Sequence, residues 1–349
     1  MARLRRVDCG EPGIRRRRRG RGFTYLDEGG ERIDDPETLL RIRELAIPPA
    51  WRDAWICPHP RGHIQATGYD AAGRKQYRYH DHWRTRRDAD KFESMERFAA
   101  ALPRMRERVA VDLALDGMPR PRALACAVRL LDRGSFRIGS EGYADDNGTY
   151  GLATMCRQHA SVDGDEIRFD YEAKGGQRRR QRVVDGEAAE TVRALLRRRG
   201  GGPELLAYRD GRRWVDVRSQ DINAYLKEVS GGDFTAKDFR TWNATVLAAI
   251  ALAVSGSVAG RSKASRARAA RRAVDEVARH LGNTPAVCRA SYIDPRVFDR
   301  FDGGLTIGGV LPELAADAED WPAVQRSVEE AVLDLIAGDE SSAAIERAA

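Results

Sequence analysis

Apolar positions recur at helical spacing over most of this chain and alternate in two short stretches. From 81 to 133 the spacing predicts helices, "DADKFESMERFAAALPRMRERVAVDLAL" and then "RPRALACAVRLLDRG". A further helix covers 236–254, "AKDFRTWNATVLAAIALAV", polar at its start and apolar later. An Arg/Ala-rich helix covers 265–281, with Val274, Val277 and Leu281 as its apolar stripe. Gly282 ends it. Asn283 or Thr284 caps the next helix, Pro285 suits its first turn, and Tyr292 falls near its end, before Asp294-Pro295. A short helix over 34–46 has Asp35 as cap and Pro36 in its first turn, and "IPPAW" ends it. The stretch "SGSVAGRSKAS" (255–265) reads as a flexible link.

The alternating stretches predict β-hairpins. In 63–80, "HIQATGYD" is one strand, "AAG" the turn and "RKQYRYH" the return. On the return strand Lys75, Tyr77 and Tyr79 share one face, and Gln76, Arg78 and His80 the other. In 165–184, Ile167, Phe169 and Tyr171 alternate, Gly175-Gly176 makes a two-residue turn, and Lys174 sits at the tip. The fold class is therefore α+β: a small N-terminal β-sheet-containing domain, then a larger, mostly α-helical domain with a β-hairpin. The expected divisions are a basic, disordered arm (1–20), an N-terminal domain (21–90), the larger domain (91–310) and an acidic tail, helical in part (311–349).

Length and composition are consistent with that division. The chain has 349 residues, 42% apolar and 32% charged, which suits a soluble globular protein of two or three domains. The apolar run "VLAAIALAV" is too short to cross a bilayer. The basic N-terminus lacks the apolar stretch of a signal peptide, so a cytoplasmic location is expected. The five cysteines are scattered and never in a CxxC pair, which argues against a disulfide framework and a structural zinc site. Cys57, His59 and His63 lie close together in "CPHPRGH", but no matching second pair follows.

Charge adds a candidate partner. Net charge is +7, unevenly placed: residues 311–349 hold ten acids and two bases, a net of −8, which leaves +15 on the rest. A basic body of that size favours an anionic polymer, although a solvated Arg-rich surface gives the same count. The basic, amide and aromatic groups of the return strand (Lys75, Gln76, Tyr77, Tyr79) suit contacts to phosphates and base edges. Tyrosines are also simply good strand formers.

Five further residues form an ordered series. "SFRIGSEGYADDNGTYGLATM" supplies Arg137, the second hairpin Lys174, "KDFRTW" Arg240, "LGNTP" Asn283 and "SYI" Tyr292. Alone, these would be an ion-pair partner, a surface lysine, a helix residue, a cap and a core tyrosine. Their order, with nine positions from Asn283 to Tyr292, resembles the type IB DNA topoisomerases, in particular the compact bacterial and poxvirus-like branch. The resemblance extends through "IPPAW", "GHIQATG" and "GRKQYRYH" and covers residues 20–310. It implies a catalytic domain of the DNA breaking–rejoining type that nicks one strand of duplex DNA, lets it swivel and reseals it. It also implies a need for neither ATP nor a metal ion. A small basic domain linked to a larger one, with the family's architecture, suggests a clamp around duplex DNA near the nucleoid, and one complete site in one chain suggests a monomer with no obligate protein partner and no membrane. In the family the covalent link is to the 3′ phosphate. Many members of the wider superfamily carry His where this chain has Asn283. His280, three residues earlier, is out of register and reads as structural.

The residue chemistry fits that implication. The transition state of phosphoryl transfer gains negative charge, which guanidiniums and an ammonium stabilise. Arginine stays charged and offers a planar fork. A tyrosine phenol is mostly neutral at pH 7, so nearby cations or a base must activate it. Its phosphate ester conserves the bond energy of the broken strand, so resealing needs no ATP. A 5′-hydroxyl leaves poorly and needs a proton, for which Lys174 is the candidate. A tyrosine recombinase shares this chemistry, but usually has HxxR where this chain has Lys237-Asp238-Phe239-Arg240, and a helical N-terminal domain. A non-catalytic DNA-binding protein would explain the charge but not the five residues in order.

Overall fold

The computed structural model describes residues 3–20, 22–71, 73–142, 148–256, 262–316 and 321–347. The chain divides into two compact units, Met1–Lys91 and Phe92–Ala349.

The first unit is an antiparallel five-stranded sheet with one helix. Strands β1 (Ile14–Arg19), β2 (Gly22–Leu26), β3 (Arg52–Ile56), β4 (Ile64–Tyr69) and β5 (Lys75–Tyr79) lie in the order β2-β1-β3-β4-β5. Helix α1 (Pro36–Glu44) starts where expected: the Asp35 carboxylate accepts from the Thr38 N–H at 2.8 Å, and Pro36 occupies the first turn. Ile14, Ile42, Ile56 and Ala66 form a small core.

The expected disordered arm is a correction. Its arginine run is β1, an interior strand paired with β2 and β3. Ile14 is buried there. Arg16 lies 4.2 Å from the Phe23 ring centroid and donates to the carbonyls of Ile47, Pro48 and Trp51 at 3.1, 3.0 and 2.8 Å. A cation stacked on an aromatic ring with three acceptors can sit in a sheet that an arginine count alone would not predict. Cys57 is buried, and His63 accepts from the Val7 N–H at 3.2 Å through Nδ1. No group of three or more metal-ligating side chains occurs among the described residues.

The second unit is mostly helical. Helix α2 (Asp81–Leu113) contains the division between the units, and its later turns bury Met95, Phe98, Leu102, Met105, Val109 and Leu113 at spacings of three and four. After α3 (Arg120–Gly134) comes a three-stranded sheet of β6 (Ala160–Asp163), β7 (Glu166–Ala173) and β8 (Gln177–Val184). Ala173 pairs with Gln177, so the turn is the three residues Lys174–Gly176, not the expected two. Next come α4 (Gly186–Arg197), the hairpin β9 (Ala207–Asp210) and β10 (Arg213–Asp216), and α5 (Ser219–Ser230). Helices α6 (Ala236–Gly256), α7 (Lys263–Leu281), α8 (Pro285–Ser291) and α9 (Pro295–Asp302) follow. Of the expected flexible link, 257–261 lie outside the described residues, while 255–256 end α6 and 263–265 begin α7, with Ser262 as its cap. Among the described residues no helix is long and apolar enough to cross a membrane.

The acidic segment is helical in part, as expected, but its reading as a tail is a correction. After α10 (Leu311–Ala316), helix α11 (Trp321–Ala337) buries Val324, Val328, Ala331, Val332, Leu335 and Ile336 in the main core. Its acids lie on other faces, apart from Glu329, which is 7% exposed. Arg106 of α2 bridges Asp132 of α3 (2.8 and 2.9 Å) and Glu329 of α11 (2.7 and 2.8 Å). The two carboxylates raise the proton affinity of this guanidinium against the opposing effect of burial. Glu329→Ala removes one arm of a buried network and should destabilise the unit by ~2 kcal/mol in urea unfolding. No change in midpoint would show that α11 is peripheral to the fold.

Candidate active site

The site is organised by the C-terminal end of α7. The last carbonyls of a helix lack intrahelical donors and carry its negative dipole end. Here the backbone closes part of the end. Gly282, at φ +64°, donates to the Arg279 carbonyl at 3.3 Å, and the Asn283 N–H to that of Ala278 at 2.9 Å. This is the Schellman closure, and its left-handed position suits glycine. Arginines from three other segments satisfy what remains. Arg179 of β8 donates to Arg279 O at 3.0 Å and to His280 O. Arg240 of α6 donates to Leu281 O at 2.9 Å, and Arg137 to Gly282 O at 3.1 Å. Three guanidiniums thus meet on four consecutive carbonyls.

Arg240 is 4% exposed. Its other terminal nitrogen donates to the carbonyl of Ser135, which ends α3 in a left-handed conformation at φ +51°. Burial, and after it the charge of Arg137, pull its pKa down to about 10, while Tyr292 works against the shift. It remains a cation at neutral pH. Its guanidinium carbon lies 5.3 Å from the Tyr292 ring centroid.

Tyr292 ends α8. Its N–H donates to Cys288 O at 3.0 Å, and its carbonyl lies 3.4 Å from the Thr245 hydroxyl, which donates to Thr241 O at 2.9 Å. Thr245 also accepts from the N–H of Asp294, which is buried, so this hydroxyl ties the tyrosine segment to α6. Between the two candidates open for the start of α8, the cap is Thr284, which accepts from the Val287 N–H at 3.4 Å. That leaves the Asn283 side chain for other contacts. Its Oδ1 accepts from Arg137. Only oxygen can accept from a guanidinium, so Nδ2 is left as a donor. Nδ2 of Asn283 and Nε of Arg240 are both buried with no protein acceptor among the described residues.

Arg137 is set by a close backbone approach. The Leu152 N–H donates to Arg137 O at 2.8 Å and the Ala153 N–H to Ile138 O at 2.7 Å. A Cβ on Gly151 would meet Gly139 Cα at 2.5 Å and Arg137 O at 2.7 Å. Lys174, at the exposed hairpin tip, lines one hollow with Arg137, Ile138, Gly139, Ser140, Thr149 and Tyr150. Arg137, Arg240, Asn283 and Tyr292 therefore converge directly, and Lys174 borders the same region beside Arg137. His280 contributes its carbonyl to the cluster. Arg179 was not singled out from the sequence.

In the first unit, Lys75, Tyr77 and Tyr79 lie exposed on one face of the edge strand β5. The tyrosine rings stack at 5.9 Å between centroids, and Lys75 Nζ lies 5.7 Å from that of Tyr77. Gln76 lies on the opposite face and donates to Asp70 at 2.9 Å.

Comparison with known proteins adds the family. Residues 80–301 match the eukaryotic DNA topoisomerase I catalytic core, which is well over half of the chain. The chain belongs to the type IB DNA topoisomerase family. Residues 22–70 match the N-terminal domain of bacterial DNA topoisomerase IB. The chain is 28% identical over 287 residues to the DNA topoisomerase 1B of Acanthamoeba polyphaga mimivirus, covering 80% of this chain and 85% of that one. It is 29% identical over 129 residues to the DNA topoisomerase 1 of Daucus carota, and 23% over 193 residues to that of Mycosarcoma maydis. Those matches cover 36% and 49% of this chain but only 15% and 19% of the two relatives. A topoisomerase of this type is an isomerase whose substrate is DNA, and its catalytic core implies relaxation by cleavage and religation.

The tight approach at Gly151 is a test of how Arg137 is held. Gly151→Ala should destabilise this topoisomerase by ~1–3 kcal/mol, because backbone rather than a flexible side chain must give way. Plasmid relaxation should slow in parallel. Wild-type stability and rate together would show that the Arg137 segment is not set by this contact.

Proposed function

We propose that the cluster is a metal-free, ATP-free centre for transesterification of one DNA strand. The observation that carries this reading is the pair of buried donors without protein acceptors, Arg240 Nε and Asn283 Nδ2, inside a group of three guanidiniums. Buried donors left unpaired are costly, and an anionic oxygen is the acceptor that offsets them. A phosphodiester supplies two nonbridging oxygens.

In this reading the Tyr292 phenol attacks the scissile phosphorus and loses its proton to solvent. The P–O5′ bond breaks as the P–O bond to Tyr292 forms, and Lys174 gives a proton to the departing 5′ oxygen. Arg137, Arg240 and Asn283 donate to the nonbridging oxygens as charge builds. The expected product is a 3′-phosphotyrosyl ester with a free 5′-hydroxyl. The nicked strand swivels, and the reverse reaction reseals it. All five residues come from one unit of one chain, which supports a monomer as the active species. Relaxation in excess EDTA without ATP should proceed with wild type and fail with Tyr292→Phe, and SDS should trap covalent adduct only with wild type. Arg137→Ala and Arg240→Ala should each slow cleavage by ~10²–10³-fold. Adduct formation by folded Tyr292→Phe would remove the tyrosine from the nucleophile role.

We also propose that β5 contacts duplex DNA. Its stacked tyrosines and Lys75 offer ring edges, hydroxyls and a cation on an exposed sheet edge, and Gln76 adds an amide on the other face. Phosphate contacts should make binding fall steeply with salt. Gln76→Ala should shift the map of cleavage sites on a long duplex, and Tyr77→Ala with Tyr79→Ala should weaken binding without moving the sites. An unchanged map would refute base reading by Gln76.

A further inference from the structure

Arg179 sits among four arginines of β8 but is engaged unlike its neighbours. Arg178 and Arg180 are exposed and pair with Asp170 on the same hairpin. Arg179 pairs across the strands with buried Tyr171 and reaches out of the hairpin to the carbonyls of Arg279 and His280. Those carbonyls precede the ones that hold Arg240 and Arg137. Both terminal nitrogens of Arg179 are thus used on backbone, which makes it a clamp between two segments.

We propose that Arg179 is a positioning residue for Lys174, a reading that rests on Lys174 as proton donor. The two clamped partners are not equally dependent on it. The end of α7 is also fixed by its Schellman closure, by Arg240 and Arg137, and by the buried Val274, Val277 and Leu281. Beyond the Tyr171–Arg179 pair β7 is still tied to a neighbouring segment, the Tyr150 N–H donating to Glu172 O at 2.8 Å, so it is the β8 side of the tip that depends on Arg179. Glu172, Lys174, Gly175, Gly176, Gln177 and Arg178 are exposed, and the two glycines hold φ of +85° and +70°. Ala173 alone among the residues from 172 to 178 is buried. Loss of the clamp therefore falls on the tip that carries Lys174. Arg179 does not act on the phosphate in this account, because each of its terminal nitrogens is engaged by an α7 carbonyl.

The leaving group separates positioning of the proton donor from general electrostatics. In ordinary DNA the P–O5′ bond breaks and the oxygen takes a proton from Lys174. In a substrate with a bridging sulfur at the 5′ position the P–S bond breaks, and the thiolate leaves without needing that proton. Single-turnover formation of the Tyr292 adduct would be timed on both substrates for wild type, Arg179→Ala, Arg179→Lys and Lys174→Ala, with thermal melting as the fold check. On the oxygen substrate Arg179→Ala should be slower by about 10–100-fold, somewhat less than loss of the acid itself. On the sulfur substrate it should run close to wild type. Arg179→Lys, able to donate to a carbonyl through one ammonium, should fall between the two.

Equal slowing of Arg179→Ala on both substrates would overturn the proposal, placing its effect on the phosphate or on α7. Full rate on the oxygen substrate would overturn it too. Should Arg179→Ala not fold, the oxygen-to-sulfur rate ratio of Arg179→Lys decides by the same criteria. If sulfur fails to restore Lys174→Ala, Lys174 is not the proton donor and the underlying reading fails. That result is read on a different variant, so the two failures are distinct.

Discussion

The carbonyl end of α7 is the feature on which the rest of the candidate site depends. Three guanidiniums in one partly buried region repel one another: burial first, and after it the charges of Arg137 and Arg179, lower the proton affinity of Arg240. A helix C-terminus presents about half a negative charge on groups that need donors. It accepts these cations without introducing a carboxylate that would compete with a phosphate. The carbonyls of Arg279, His280, Leu281 and Gly282 are consecutive, so they also fix the spacing of the arginines they hold. Gly282 makes the geometry available by closing the helix in the left-handed region, and the chain then runs directly into Asn283.

That arrangement explains why the donors of the site remain partly unspent. Each arginine of the cluster uses part of its fork on backbone, and Arg137 also fixes the Asn283 amide by donating to its oxygen. Two buried donors left over, Arg240 Nε and Asn283 Nδ2, are held before any ligand arrives. Preorganised donors need little rearrangement as charge develops, which is where their advantage over water lies. An asparagine can take this role because Arg137 leaves it only its donor end to offer.

Much of this was legible in the sequence. Asp35, Pro36, Gly282 and Pro285 mark helix ends by local chemistry, and the structure places helix ends at each. Arg137, Arg240, Asn283 and Tyr292, spread over some 150 residues of chain, meet as their order suggested. The misses have physical causes. Four of the five arginines of β1 are exposed as their charge suggests, whereas Arg16 meets the Phe23 ring of β2 and three carbonyls of the segment 47–51 that precedes β3. The acids of the last forty residues mask a stripe from Val324 to Ile336 that only helical phasing reveals.

Arg179 was hidden by register. A two-residue turn at Gly175-Gly176 would set Lys174 opposite Gln177 and Arg179 opposite Glu172, on the exposed face. The three-residue turn sets Ala173 opposite Gln177, and Arg179 opposite Tyr171, on the buried one. Side chains alternate along a strand, so a one-residue change in the turn exchanges its faces. A count of arginines cannot tell 178, 179 and 180 apart, whereas the pairing does. The same change puts Lys174 first in the turn rather than at the end of a strand. Its backbone then lies outside the ladder, above the strands that carry it. In this hairpin the outermost large pair on the inner face beneath the tip is buried Tyr171 with half-buried Arg179. The residue that sequence alone could not distinguish is thus the one that joins the β8 side of this hairpin to the end of α7.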